Sequence, residues 1–95
     1  MIFEWDDKKN QSNIKKHGIC FEDVCEIFKY PRLTIIDNRF DYKEKRYISI
    51  GTITKDIQVV IVYTERNKHI RIISARKANA RERKKFNDHI KTTTG

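Results

Sequence analysis

His69-Ile-Arg-Ile-Ile-Ser-Ala-Arg-Lys-Ala-Asn-Ala-Arg-Glu-Arg-Lys-Lys-Phe-Asn-Asp-His-Ile90 passes from an apolar, β-branched run straight into a segment crowded with arginine and lysine. The part from His69 to Arg76 reads as a strand, because β-branched side chains pack well on a pleated surface. From Asn79 the pattern turns helical. Asn79 can cap, Glu82 can return the bond three residues later, and Phe86 and Ile90 stand four apart on one face. Charge also sets this stretch apart: residues 1–65 hold 11 Lys/Arg and 11 Asp/Glu, whereas residues 66–95 hold 10 basic and 2 acidic residues, the whole of the net +8. A neutral body with a basic last third implies a dedicated anion-facing surface.

Working outward, Arg46 to Ile53 and Ile57 to Glu65 read as strands, with turns at Thr54-Lys55-Asp56 and Arg66-Asn67-Lys68, where Asn tolerates positive φ. Connections this short require antiparallel neighbours, so these two strands and His69 to Arg76 form a meander. Val59-Val-Ile-Val62 and Ile70-Arg-Ile-Ile73 are apolar on both faces, as in central strands covered on two sides. Leu33 to Asp37 adds a strand, and a polar loop from Asn38 to Lys43 follows it. At the N-terminus, Ile2-Phe-Glu-Trp5 is a short strand. Asp6 then caps a helix that ends near His17, with Gly18 as the left-handed stop. The apolar face of this helix is Ile14 and little else, so it is expected at the surface, held by its ends. Phe21, Val24, Cys25 and Phe28, widened by Ile27, predict a second helix, closed by Tyr30-Pro31. Thr92-Thr-Thr-Gly95 is expected to fray. The fold class is α+β: a mainly antiparallel sheet, two N-terminal helices and a basic C-terminal helix, in a single domain over residues 1–95.

Ninety-five residues, 38% of them hydrophobic, suffice for one core and leave little room for a second. The basic balance points first to nucleic acid, then to an acidic protein, and last to a membrane surface. The longest apolar run, Val59 to Tyr63, is too short to span a bilayer, and residues 1–7 lack the basic and apolar regions of a secretory signal. A cytoplasmic protein with no membrane partner is expected. Cys20 and Cys25, five apart in a helix, are poorly placed for a disulfide. Together with His17 they could be metal ligands, but no fourth ligand has zinc-site spacing, so they read as two small buried thiols. No metal or cofactor is called for.

Chemistry concentrates at the close of the sheet. An arginine within an apolar strand is costly unless it meets a carboxylate or a solvent-facing groove. Arg71 and Arg76, an odd number apart, fall on opposite faces of a regular strand unless a bulge or the strand end re-aims one. The plain alternative pairs Arg71 with Glu65 or Glu44 in an exposed salt-bridge ladder. Antiparallel order brings the Glu44–Arg46 region near Glu65, and Glu65 near Arg71. Guanidiniums gathered about one phosphate could perform phosphoryl chemistry without metal, with a carboxylate, His or Lys moving the proton. Of the histidines, His17 ends a helix, where the imidazolium is favoured. His69 and His89 read as inert surface residues. Arg81, Arg83, Lys84 and Lys85 are solvated helix charges unless a phosphate chain lies against them.

Several segments together resemble the BrnT toxin family: Phe3-Glu-Trp-Asp6, Asn13-Ile-Lys-Lys-His-Gly18 followed by Phe21-Glu22, Glu44-Lys-Arg46 leading to Ile50-Gly51, and Arg71-Ile-Ile-Ser-Ala-Arg-Lys-Ala78 with Arg81-Glu-Arg83. The likeness runs in order from about residue 2 to 86. Asn79 stands where Thr is the usual helix cap and Phe86 where Tyr is usual, so no role rests on a hydroxyl there. The resemblance implies a RelE-like fold and a ribonuclease toxin of a type II toxin–antitoxin system that blocks translation. It also implies a cognate BrnA-like antitoxin with a ribbon-helix-helix domain, so that operator DNA is reached only through the complex.

Residues and resemblance combine into metal-independent RNA cleavage with the ribose 2′-hydroxyl as nucleophile. Arg46, Arg71 and Arg76 would hold the phosphate, Glu65 would be the base, and Lys16 or His17 the proton donor or charge stabiliser. Lys77, Arg81, Arg83, Lys84 and Lys85 would track the RNA backbone, beneath the same surface that the antitoxin covers. The alternatives are a basic nucleic-acid-binding module that cuts nothing, and a face that serves solely to dock an acidic antitoxin.

Overall fold

The computed structural model describes residues 2–39, 44–54 and 57–94. Strands β1 (Ile2–Trp5), β2 (Leu33–Ile36), β3 (Tyr47–Thr52), β4 (Gln58–Arg66) and β5 (His69–Lys77) form one sheet in the order β1-β5-β4-β3-β2. The meander β3-β4-β5 is antiparallel, as the short connections require, and β2 joins it antiparallel beside β3. One pairing has no local signal in the sequence: β1 lies parallel to β5, Ile2 opposite His69 and Trp5 opposite Ile72. The β4–β5 turn is the tight two-residue kind, with Asn67 at φ 48 and Lys68 at φ 70. Left-handed residues at both positions match the twist of the flanking strands.

Both faces of the sheet are covered, as the two apolar strands predict. On one face Val59, Ile61 and Tyr63 of β4 and Ile70, Ile72 and Ala75 of β5 are buried beneath Ile19, Phe21, Val24 and Ile27. On the other, Ile50 and Val60 pack with Ala78 and Phe86, flanked by Leu33, Ile48 and Ile90.

The expected second helix begins as α2 (Phe21–Val24) and tightens into a 3₁₀ segment, Cys25–Lys29. Its fully buried residues are Phe21, Val24 and Ile27. Their spacing of three is the period of a 3₁₀ turn, in which i and i+3 eclipse. That corrects the wider stripe, in which Cys25 and Phe28 are only half-buried, and the expected buried thiols: Cys20 and Cys25 are free and half-buried. The Cys25 thiol donates to the Phe21 carbonyl at 3.4 Å, and burial pushes its pKa up to about 11. Gly51 of β3 lets this segment approach, because a Cβ there would lie 2.9 Å from Cβ of Ile27.

Helix α1 (Asp7–His17) has the expected ends: Asp6 Oδ1 accepts from the Lys8 and Lys9 amides at 2.8 and 3.3 Å, and Gly18 sits at φ 68. Its anchor is not Ile14, which is 37% exposed, but Asn13, which is 7% exposed. Asn13 Nδ2 donates to the Ile19 carbonyl at 2.9 Å, and its Oδ1 accepts from the Ala75 amide at 3.2 Å. Asn10 Oδ1 accepts from the Phe21 amide at 2.9 Å.

Helix α3 (Ala80–Thr94) opens with the expected reciprocal cap: the Glu82 amide donates to Asn79 Oδ1 and the Asn79 amide to Glu82 Oε1, both at 2.9 Å. It runs on through the threonines expected to fray, with Thr92 Oγ1 donating to the Asp88 carbonyl at 2.9 Å. Residues 40–43 and 55–56, where parts of the expected loop and of the first turn fall, lie outside the described residues. Among those described, no helix is long and apolar enough to cross a membrane.

Candidate functional site

The site depends on one irregularity. Val62 pairs with Ser74 but Tyr63 with Ile72, so Ile73 is an extra residue in β5. Strand alternation alone would send Arg71 and Arg76 to opposite faces. The bulge resets it, and both arginines emerge on the face of Val60, Val62 and Thr64, the side that carries α3. They do not converge on a single point. Arg71 lies opposite Thr64 and Arg76 opposite Val60, four residues or roughly 13 Å along β4. The expectation of one phosphate held by all the arginines therefore becomes one face with two neighbouring pockets.

The first pocket, about 250 Å³, is lined by Glu4, Thr64, Arg66, His69 and Arg71. Tyr47 pairs with Tyr63, so Arg46, one residue before β3, stands level with Thr64. Alternation turns it to the face of Ile48 and Ile50. Arg71 Nη1 is 3.9 Å from Glu4 Oε2, and Arg66 Nε donates to Glu44 Oε2 at 2.6 Å. The Arg66 hydrogen bond, then its charge and those of Arg46 and Arg71, hold the Glu44 carboxyl below the ordinary carboxylate range. Three guanidiniums thus share one rim with two carboxylates. These ion pairs are exposed, and exposed pairs contribute only about 0–1 kcal/mol, so little is lost when an anion displaces the carboxylate.

The second pocket, about 380 Å³, lies beside it and is bordered by Arg76. Arg76 grips Glu82 through both nitrogens, Nη1 to Oε1 at 2.7 Å and Nη2 to Oε2 at 2.8 Å. The residue that closes the helix cap is therefore also the counter-ion of the strand arginine. The Arg76 hydrogen bond, helped by the Asn79 amide, lowers the Glu82 pKa. A carboxyl whose folded pKa is depressed stabilises the fold above its unfolded value, and that stabilisation is lost as pH falls through the folded value. Urea midpoints of the wild type and Glu82→Gln should accordingly differ at neutral pH, the wild type being higher. The gap should close as acid protonates Glu82 in both states.

Other candidates fall elsewhere. Glu65 pairs opposite Ile70 and shares the parity of Ile61 and Tyr63, so alternation turns its side chain away from Arg71. Lys16 and His17 end α1, in the helical layer over the opposite face, and both are exposed. Lys77 ends β5 and is exposed, with the parity of Ala75. The basic residues of α3 do not act as one row. Lys85 borders the second pocket, Arg83 folds back to donate to the Ala78 carbonyl at 2.8 Å, Lys84 pairs with Asp88 at 2.9 Å, and Arg81 is exposed. In exchange the structure brings in His69, Arg66, Glu4 and Glu82. His69 and Arg71, two apart on one strand, had a spacing that already placed them on a common face.

Guanidiniums on one sheet face, with an imidazole among them and a basic helix alongside, define a small α+β protein that handles a polyanion. A family model described as the ribonuclease toxin BrnT of type II toxin–antitoxin systems matches residues 5–82. The 1.1 Å crystal structure of the Brucella abortus ribonuclease toxin BrnT superposes with a TM-score of 0.63 at 28% identity, covering 83% of this chain and 99% of that one. No protein of curated function matches the chain. The chain belongs to the BrnT family of ribonuclease toxins.

Proposed function

We propose that the chain cleaves RNA without metal, with the scissile phosphate against Arg46, Arg66 and Arg71. The observation that carries this reading is the gathering of Arg66, Arg71 and His69 in one cleft. The ribose 2′-hydroxyl attacks phosphorus, the bond to the 5′-oxygen breaks, and the upstream product keeps a 2′,3′-cyclic phosphate. Guanidiniums stabilise charge building on the phosphoryl oxygens, where bidentate hydrogen bonds to arginine are strongest. His69 takes the hydroxyl proton, a task suited to imidazole near neutral pH. Solvent at this open rim protonates the leaving 5′-oxygen.

In this reading residues 1–95 work as one domain in the cytoplasm. Arg81, Arg83, Lys84 and Lys85, with Lys77 from the end of the strand's other face, add long-range attraction for the RNA chain, and translation is what the cleavage blocks. The partner is a BrnA-like antitoxin with a ribbon-helix-helix domain. It covers the arginine face, and operator DNA is contacted through the complex alone.

Purified protein should cut RNA as fast in EDTA as in magnesium and leave 2′,3′-cyclic phosphate ends. Activity lost in EDTA and restored by a divalent cation rejects the mechanism. RNA binding without turnover, with a salt slope of roughly −0.7 per phosphate contact, replaces it with a clamp that cuts nothing.

A further inference from the structure

The proposed phosphate chemistry leaves the second pocket, about 380 Å³, unused. Its floor is aliphatic: Leu33, Ile35, Ile48, Ile50, Val60 and Val62. Its border is polar: Arg39, Ser74, Arg76, Glu82 and Lys85. Helix α3 covers the Ile50 and Val60 end, while Ile35 on the edge strand is left 55% exposed. A bare phosphate would satisfy the border and leave the floor wet. A purely apolar ligand would do the reverse. A flat heteroaromatic ring attached to a phosphate chain satisfies both.

Arg76 is prepared for such a ring. Its fork to Glu82 fixes the guanidinium plane, and Glu82 is itself tied to the Asn79 amide. Unstacked RNA bases are commonly held against guanidinium planes. The Val62–Ser74 pair lies between Arg76 and the Thr64–Arg71 pair, so the near edge of the cavity is roughly 7 Å along β4 from the phosphate row and Arg76, at its far side, roughly 13 Å.

We infer that this cavity is the subsite for an unstacked nucleobase beside the scissile phosphate, seated on the aliphatic floor and stacked against the Arg76–Glu82 fork. The inference rests on the phosphate reading of the neighbouring arginines and adds to it the source of any sequence preference.

The test uses single-stranded 2′-O-methyl oligoribonucleotides, which bind but cannot be cut, with one abasic position moved along the strand. Stacking of a base is worth enough that the wild type should lose about fivefold or more in affinity at one position. Ser74→Ile, at an exposed strand position on the cavity wall, narrows the space and should bind intact and abasic strands alike. Ile35→Ser, at the exposed edge, thins the floor and should reduce the penalty even if Ser74→Ile folds poorly. A flat abasic profile in the wild type overturns the subsite, as does a full penalty retained in both variants. If the variants keep the RNA profile but escape neutralisation by the antitoxin, the cavity seats protein and the inference falls. Because nothing is cut, the readout is separate from turnover. A base-sensitive binder that leaves natural RNA intact would fail the mechanism and keep the subsite.

Discussion

Arg71→Ala is expected to slow RNA cleavage by about 10²- to 10³-fold, the cost of removing one preorganised donor from a developing oxyanion. Its effect on stability should stay within about 1 kcal/mol. The ion pair that Arg71 makes with Glu4 spans 3.9 Å between side chains 43% and 48% exposed, and pairs of that kind contribute about 0–1 kcal/mol. Activity and stability therefore separate cleanly at this position. They do not at Arg76, where alanine would strip Glu82 of its fork and disturb the start of α3. Arg71→Lys should recover part of the rate, because the charge returns without the bidentate geometry. Glu65→Ala should cut within about twofold of the wild-type rate, as its side chain faces the other side of the sheet. Single-turnover rates on one RNA, alongside urea unfolding of each variant, decide the matter. A folded Arg71→Ala protein with undiminished cleavage would remove the arginine row from the chemistry.

How far the sequence foretold this site depends on which interaction fixes each residue. The strand-to-helix passage at 69–90 was legible because each cue in it is local: β-branched residues, an Asn79–Glu82 cap, Phe86 and Ile90 one turn apart. The Asn67 turn was legible for the same reason. The shared face of Arg71 and Arg76 was not, because Ile72-Ile-Ser-Ala75 holds no glycine or proline to mark a bulge. Only the pairing of Tyr63 with Ile72 and Val62 with Ser74 reveals it. Order in the meander makes Glu65 a partner for the arginines, yet a period of two turns a neighbour in register to the other face. Sequence spacing assigns Glu82 the cap alone. A carboxylate with two oxygens can close a helix and hold a guanidinium at once, and sequence spacing exposes the local half of that double role.

Asn13→Leu should destabilise the fold by about 2–5 kcal/mol, although it exchanges a polar side chain for an apolar one at a 7% exposed position. Leucine can neither accept from the Ala75 amide nor donate to the Ile19 carbonyl. Two backbone groups are left unpaired inside the protein, each costing about 1–3 kcal/mol. Part is returned by the added apolar burial, roughly 25 cal/mol per Å². The position matters because β1 ends at Trp5, opposite Ile72, and beyond that point β5 has lost its parallel neighbour. Asn13 supplies from α1 the acceptor that a longer β1 would have supplied from its backbone, and it does so two residues past the bulge that aims the arginines. Weakening it should loosen β5 where its register is irregular. Amide exchange at Ala75 should accelerate by more than the global loss of stability explains, and cleavage should fall although Asn13 is on the opposite side of the sheet. Ile14→Ala, at the 37% exposed neighbour that hydropathy alone would choose as the anchor, should cost about 1 kcal/mol or less. If the urea midpoints rank the two variants the other way, α1 is held by its apolar contact after all, and the bulge keeps its geometry without help from Asn13.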